Sequence, residues 1–210
     1  HPRRLPCVRN VSAGLRPRIA PTKISGLSPR LTLFLSSETP LTDRFSASLP
    51  APADTDHLGA LLADELLRAS PGILAKGLAL RLEGNLGAGK TSLIRAALRR
   101  LGWEGAVKSP TFTLLETYPC GGLTINHFDF YRFEEPEEFE DAGFQDEFRP
   151  GAVCATEWSD KAFPYLPPAD ITIALSIEGL GRRVEISAQS PLGREILASL
   201  SESWNSTAAA

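Results

Sequence analysis

From residue 44 onward the apolar positions follow two periods, and the switches between them mark out the elements. Arg44 to Leu49 alternates and predicts a short first strand, closed by Pro50 and Pro52. Leu58, Leu61, Leu62 and Leu66 then fall on one face of a helix that Asp54 or Thr55 can cap and Pro71-Gly72 is expected to end. Gly77 to Glu83 reads as a strand running into a glycine-rich loop. Ser92 to Leu101 follows as a helix with Leu93, Ile94, Ala97, Leu98 and Leu101 in its apolar stripe and Gly102 as its stop.

The second half is richer in strands. Thr111 to Tyr118 and Leu123 to Phe128 flank Pro119-Cys120-Gly121-Gly122 and predict a hairpin. Pro136 to Phe148 is acidic and helical in part. Ala152 to Glu157 is a short strand of small residues. Ile171 to Ile177 and Arg183 to Ala188 predict a second hairpin, and Pro191 to Leu200 a last helix, with the residues after Ser201 frayed. Strand, glycine loop, helix and further strands specify an α/β fold of the P-loop NTPase type, with helices flanking one mixed sheet. The hairpins exclude a purely parallel sheet. The expected organisation is a leader over residues 1–43, one domain over 44–200 and a tail over 201–210.

Charge changes the picture of the leader. Residues 1–37 hold seven basic residues and no Asp or Glu; against a net charge of -3 for the chain, that leaves about -10 for the rest. The leader is rich in Arg, Pro and Ser, lacks periodicity, and is expected to be disordered. Its composition is like that of an organellar transit peptide. The chain also begins with His1 and contains no Met, so an upstream start-site artefact is the preferred expectation. An acidic body is a poor binder of a phosphate backbone, so any work on RNA would need a partner to supply the contact. Cys7, Cys120 and Cys154 have neither metal-ligand nor disulfide-framework spacing. No apolar run approaches the length of a membrane span.

The chemistry concentrates in Gly84-Asn85-Leu86-Gly87-Ala88-Gly89-Lys90-Thr91, which fits G-x-x-x-x-G-K-[ST]. Glycines let the backbone curl with N–H groups facing phosphate oxygens, and the following helix adds the positive end of its dipole. Lys90 can reach the β- and γ-phosphates, and the Thr91 hydroxyl is a hard ligand suited to Mg²⁺. A strand before the loop and an amphipathic helix after it give the motif its required context. A second magnesium-side carboxylate belongs at a neighbouring strand end, where Asp129 and Glu157 are the candidates.

GNLGAGKT, VKSPTFTLLETY, HFDFYR, a P-E-E-F-E run and TEW, in that order, resemble the TsaE (YjeE) family over roughly residues 44–200. The resemblance implies a small P-loop ATPase needed for N6-threonylcarbamoyladenosine at position 37 of tRNAs reading ANN codons. Such a protein acts in the cytoplasm with the TsaB and TsaD proteins and meets tRNA only through that complex. It further implies ATP and Mg²⁺ as cofactors, with Gly84 and Gly87, Ala88, Gly89, Lys90, Thr91 and Ser92 around the phosphates. Thr91 and Glu157 would lie on the metal, Trp158 beside the nucleotide, and Thr55 near the adenine. Ser109 and Thr111 would form a switch that senses the γ-phosphate, and Asp129 would be the aspartate required for hydrolysis, positioning water or holding a magnesium-bound one. Two features depart from the family pattern: the basic leader, and the weakly apolar strand Ala152 to Thr156 before Glu157, whose depth in the sheet is open.

Other residues have more local expectations. His127 reads as a strand residue with a local hydrogen bond, and Arg132 as a partner for the acidic run Glu134 to Asp141. Phe133 and Phe139 could mark a docking surface. Without an evident internal arginine finger, turnover is expected to be slow alone and stimulated by partners. A small-molecule kinase and a non-hydrolysing, nucleotide-gated interaction protein are the competing classes; the first lacks an Arg-rich lid segment. A GTPase is disfavoured by the absence of N-K-x-D.

Overall fold

A computed structural model describes residues 43–208, so the leader expected over residues 1–43 lies, but for Asp43, outside the described residues. Among the described residues, seven strands form one sheet: β1 (Arg44–Leu49), β2 (Leu78–Glu83), β3 (Leu115–Cys120), β4 (Leu123–Asp129), β5 (Ala152–Glu157), β6 (Ile171–Glu178) and β7 (Gly181–Ala188). Their spatial order is β1-β7-β6-β2-β5-β4-β3. The inner four, β6, β2, β5 and β4, are parallel. Antiparallel pairs β3/β4, β6/β7 and β1/β7 close the two sides. The mixed α/β sheet expected from the two hairpins is therefore present.

One face carries the main core. Leu80 and Leu82 of β2, Ile173 and Leu175 of β6, and Val184 and Ile186 of β7 all point to it. Three helices cover that face: α1 (Pro52–Arg68), α3 (Lys90–Arg100) and α5 (Pro191–Ala208). Leu58, Leu62 and Leu66 of α1 and Leu93, Ile94, Ala97 and Leu98 of α3 are buried, matching their stripes. The other face, over β4 and β5, has its own aromatic core of Phe128, Phe130, Phe133 and Phe139.

Several expectations are corrected. Asp54 does not cap α1 from the N-cap position but sits at N3, where its carboxylate accepts from the Ala51 N–H at 2.7 Å. Pro71-Gly72 does not end helical structure. It falls in the first turn of a second helix, α2 (Ser70–Lys76), where proline lacks no needed donor. Strand β3 starts at Leu115 rather than Thr111, because Pro110 to Leu114 curls into a turn closed by the Leu114 N–H on the Pro110 carbonyl at 2.7 Å. Helix α5 runs to Ala208 rather than fraying after Ser201. Ser203 donates to Glu65 of α1 at 3.1 Å and Trp204 meets Phe45 edge-on, so the last turns are packed.

Strand β5 is buried at every residue. Its small side chains let it lie between β2 and β4 with helices on one side and the phenylalanine cluster on the other. Phe133 and Phe139 are members of that cluster (2% and 0% exposed) and form no docking surface. The acidic residues around them, in the short helix α4 (Glu138–Asp141) and the 3₁₀ turn Phe144–Glu147, form a cap over β4 and β5. No helix among the described residues is long and apolar enough to cross a membrane.

Helices α1 and α3 approach closely at Gly59. A Cβ there would lie 2.6 Å from the Leu93 carbonyl oxygen and 2.7 Å from the Ala96 Cβ. Overpacking against backbone outweighs the gain in helix propensity, so Gly59→Ala is expected to cost a net ~1–2 kcal/mol. Urea unfolding should show a lower midpoint at unchanged slope; an unchanged midpoint would refute the close approach.

Candidate nucleotide site

The glycine loop leaves the end of β2 at Glu83 and enters α3 at Lys90. Gly87 and Gly89 have φ of +79° and +110°, and a Cβ on either would meet open space. It is the left-handed backbone that requires glycine at these two positions, not crowding. At Gly84 both operate: φ is +133° and a Cβ would strike the Leu175 carbonyl. The first N–H groups of α3 have no partner four residues back, as at any helix start, and the residues that carry them, Lys90 to Ser92, line the hollow beside the loop.

That hollow, about 400 Å³, is lined by Gly87 to Ser92, Ser109, Thr111, Asp129, Tyr131, Glu157 and Trp158. The fold thus brings eleven of the sequence-predicted site residues to one cavity: Gly87, Ala88, Gly89, Lys90, Thr91, Ser92, Ser109, Thr111, Asp129, Glu157 and Trp158. Gly84 stands behind it, as the acceptor of a hydrogen bond from Lys90 Nζ at 2.7 Å. Thr55 is not in this hollow. It is buried on α1 and lines an adjoining one, about 350 Å³, which shares Gly87, Gly89 and Ser92.

Two carboxylates organise the cavity. Glu157 is 3% exposed at the end of β5. Its Oε1 accepts from the Thr91 hydroxyl at 3.0 Å and from His127 Nε2 at 2.9 Å, while its Oε2 lies 3.6 Å from Lys90 Nζ. Asp129, 2% exposed at the end of β4, accepts on Oδ2 from Ser109 Oγ at 2.6 Å and Thr111 Oγ1 at 2.8 Å. Its Oδ1 accepts from the Tyr131 N–H at 3.0 Å. Trp158 lies over Lys90, with Nζ 5.0 Å from the ring centroid.

Leu114 and Trp158 are the two non-glycine residues with positive φ, 63° and 56°, among the described residues. Both flank this cavity, Leu114 where the Ser109–Thr111 segment turns into β3 and Trp158 directly after Glu157. Left-handed backbone at bulky residues costs free energy and is kept where the surroundings demand it.

Thr91 and Glu157 offer a hydroxyl and a carboxylate, both hard oxygens, held side by side. That set fits Mg²⁺, which takes one or two protein oxygens and completes its shell from phosphate and water. No group of three or more His, Cys, Asp or Glu among the described residues could hold a metal ion alone.

Three contributions were not visible in the sequence. Arg182, at the start of β7, donates to the carbonyls of Ala88 and Gly87, both at 3.0 Å, and so braces the outer side of the glycine loop. It belongs to no motif, and its two partners are 94 and 95 residues away in the chain. His127 touches Glu157, which its place in a strand alone could not show. Arg132 does not pair with the acidic run; its guanidinium stacks over the exposed Phe112 ring at 4.0 Å, inside the segment that holds Ser109 and Thr111.

The model of the family described as threonylcarbamoyl adenosine biosynthesis protein TsaE matches residues 49–184. The chain belongs to the TsaE family. Among TsaE relatives, the tRNA threonylcarbamoyladenosine biosynthesis protein TsaE of Haemophilus influenzae is 44% identical over 126 residues, 60% of this chain and 80% of its own length. The protein of the same name from Treponema pallidum is 38% identical over 111 residues, covering 53% and 82%. The crystal structure of Bacillus subtilis YdiB superposes with a TM-score of 0.61 at 26% identity, over 77% of this chain and 97% of that one. The TsaE match spans the glycine loop, the Ser109–Thr111 segment, Asp129 and Glu157, and the family's P-loop fold implies nucleotide binding.

Among the described residues, Cys120 and Cys154 line neither hollow. Burial pushes Cys154 up to about 12, so it stays protonated through neutral and mildly alkaline pH. Folded protein at pH ~8 is expected to leave Cys154 unlabelled by a thiol reagent, with labelling appearing on unfolding; peptide mass spectrometry reads the difference, and rapid native labelling would contradict its burial.

Proposed function

We propose that this chain is the ATPase of a tRNA-modifying assembly that makes N6-threonylcarbamoyladenosine at position 37 of tRNAs reading ANN codons. It acts in the cytoplasm with TsaB and TsaD, and ATP hydrolysis resets that complex. Membership of the TsaE family and the shared name of the relatives support the pathway. The observation that carries the ATPase reading is the meeting, around one cavity, of a P-loop lysine, a hydroxyl–carboxylate pair and an aspartate held by two hydroxyls.

The roles follow from that geometry. The N–H groups of Gly87 and of Gly89 to Ser92, together with the Lys90 ammonium, bind phosphate oxygens, while the Ala88 N–H is held by the Asn85 carbonyl at 3.1 Å. Lys90 now spends its hydrogens on the Gly84 and Asn85 carbonyls, at 2.7 and 3.2 Å, and exchanges them for phosphate. Thr91 and Glu157 would hold Mg²⁺, which would supply positive charge against the negative charge developing on the phosphates. Thr55 and the adjoining hollow take the adenine, and Trp158 lies beside the nucleotide. Ser109 and Thr111 leave Asp129 to donate to the γ-phosphate, which frees the Asp129 carboxylate to hold a water there. Loss of the γ-phosphate returns both hydroxyls to Asp129, an exchange that turns hydrolysis into movement of residues 109–114. The acidic body, about -10 over residues 38–210, leaves contact with tRNA to the partners.

ATP hydrolysis by the purified chain, alone and with TsaB and TsaD, tests this reading. The partners are expected to raise the rate. Lys90→Ala should lose ATP binding, and Asp129→Ala should keep binding while losing turnover by ~100-fold or more. Equal rates with and without the partners would overturn the resetting role, and full turnover in Asp129→Ala would remove that residue from the chemistry.

A further inference from the structure

Glu157 is gripped from three sides, and the grips are not equivalent. Thr91 and Lys90, at 3.0 and 3.6 Å, are residues whose proposed work lies on the metal and the phosphates. Once they turn to that work, the carboxylate keeps one protein contact, His127 Nε2 at 2.9 Å. His127 stands on β4 opposite Ala155 of β5, so its ring reaches diagonally to Glu157 two residues further on. It is wholly buried.

The ring's other nitrogen makes the reading specific. His127 Nδ1 is buried without a hydrogen-bond partner among the described residues. An ionised carboxylate can only accept, so toward Glu157 the Nε2 nitrogen is the donor, and Nδ1, whichever tautomer or charge the ring takes, has no protein partner among the described residues. A residue present for packing alone would be aliphatic here, like Ile125, which precedes it on the same face of β4 and joins the core. Burying an imidazole with one nitrogen unsatisfied costs stability. The return on that cost is one hydrogen bond, directed at Glu157.

We propose that His127 is a positioning residue: its Nε2–H fixes the Glu157 carboxylate beside the Thr91 hydroxyl, so that the magnesium-side pair is already formed when nucleotide arrives. This rests on the reading of Glu157 as the magnesium-side acid. A ligating carboxylate that is itself hydrogen-bonded holds its orientation, and loss of such outer partners typically weakens metal binding by roughly 10–100-fold.

Calorimetric titration of ATP into the full chain, in EDTA and at rising Mg²⁺, tests the role without turnover. His127→Gln can place an amide N–H near Nε2 and reach Glu157, whereas His127→Asn places its amide near Nδ1 and cannot. Both bury a neutral amide, so a general loss of packing would affect them alike. Wild type and both variants are expected to bind ATP equally in EDTA. The Mg²⁺ concentration that half-maximally tightens binding should rise about tenfold or more in His127→Asn and fall most of the way back in His127→Gln. Equal Mg²⁺ requirements in wild type and His127→Asn would overturn the positioning role. Should His127→Asn not fold, His127→Leu, which has no donor and fills the buried site, takes its place: a rise of about tenfold would support the role, and an unchanged requirement would overturn it. Glu157→Gln separates the two readings. If it keeps the wild-type Mg²⁺ dependence, the magnesium reading falls and His127 falls with it; if it loses that dependence while His127→Asn does not, only the positioning role fails.

Discussion

A carboxylate buried at the end of a central strand sets the terms for the rest of the structure. Glu157 is almost inaccessible, and an ion in that position must have its oxygens occupied or its charge becomes very costly. The occupants come from two elements. Thr91 and Lys90 belong to the first turn of α3, and His127 to β4. Their arrival fixes where α3 begins relative to β5, and hence where the glycine loop must curl. Strand β5 can lie so deep because Ala152 to Thr156 are small enough to fit beneath the phenylalanine cluster. The same loop is braced by Arg182, which occupies the Gly87 and Ala88 carbonyls, while Gly87 to Ser92 line the hollow.

The second carboxylate is tied to the first through β4. His127 and Asp129 are two residues apart and share one face of the strand; one touches Glu157, the other holds Ser109 and Thr111. The contacts to Glu157 and to the Ser109 and Thr111 hydroxyls are thus both made from one short length of β4. Two hydroxyls satisfy Asp129 in this arrangement, and on the proposed function a phosphate oxygen would compete for the same two donors. The left-handed backbone at Leu114 and Trp158 sits at the two points where that arrangement joins the sheet. Stacking of Arg132 on Phe112 links the segment after Asp129 to the one that would move.

Much of this could be read from the sequence because the decisive signals are local. Gly84 to Thr91 carries its own conformational requirements, and the strand before it and helix after it repeat at their own periods. What escaped was set by packing. Pro71-Gly72 looks like a stop, but proline is equally at home in a helix's first turn, and α2 begins there. The polarity of β5 gave no hint of depth, since depth came from the aromatic cap built by Phe130, Phe133 and Phe139, distant in the chain. Arg132 lay beside carboxylates in sequence and beside an aromatic ring in space. Arg182 and the His127–Glu157 contact join residues far apart in the chain, which no spacing rule reaches.

Hydrogen–deuterium exchange over residues 84–92 and 108–114 tests the central coupling most directly, compared without nucleotide, with ADP and Mg²⁺, and with a non-hydrolysable ATP analogue and Mg²⁺. Residues 84–92 should be protected by both nucleotides, and exchange over 108–114 should change only with the ATP analogue, because only it offers Ser109 and Thr111 an alternative to Asp129. The same exchange over 108–114 in all three states would contradict a γ-phosphate switch built on that aspartate.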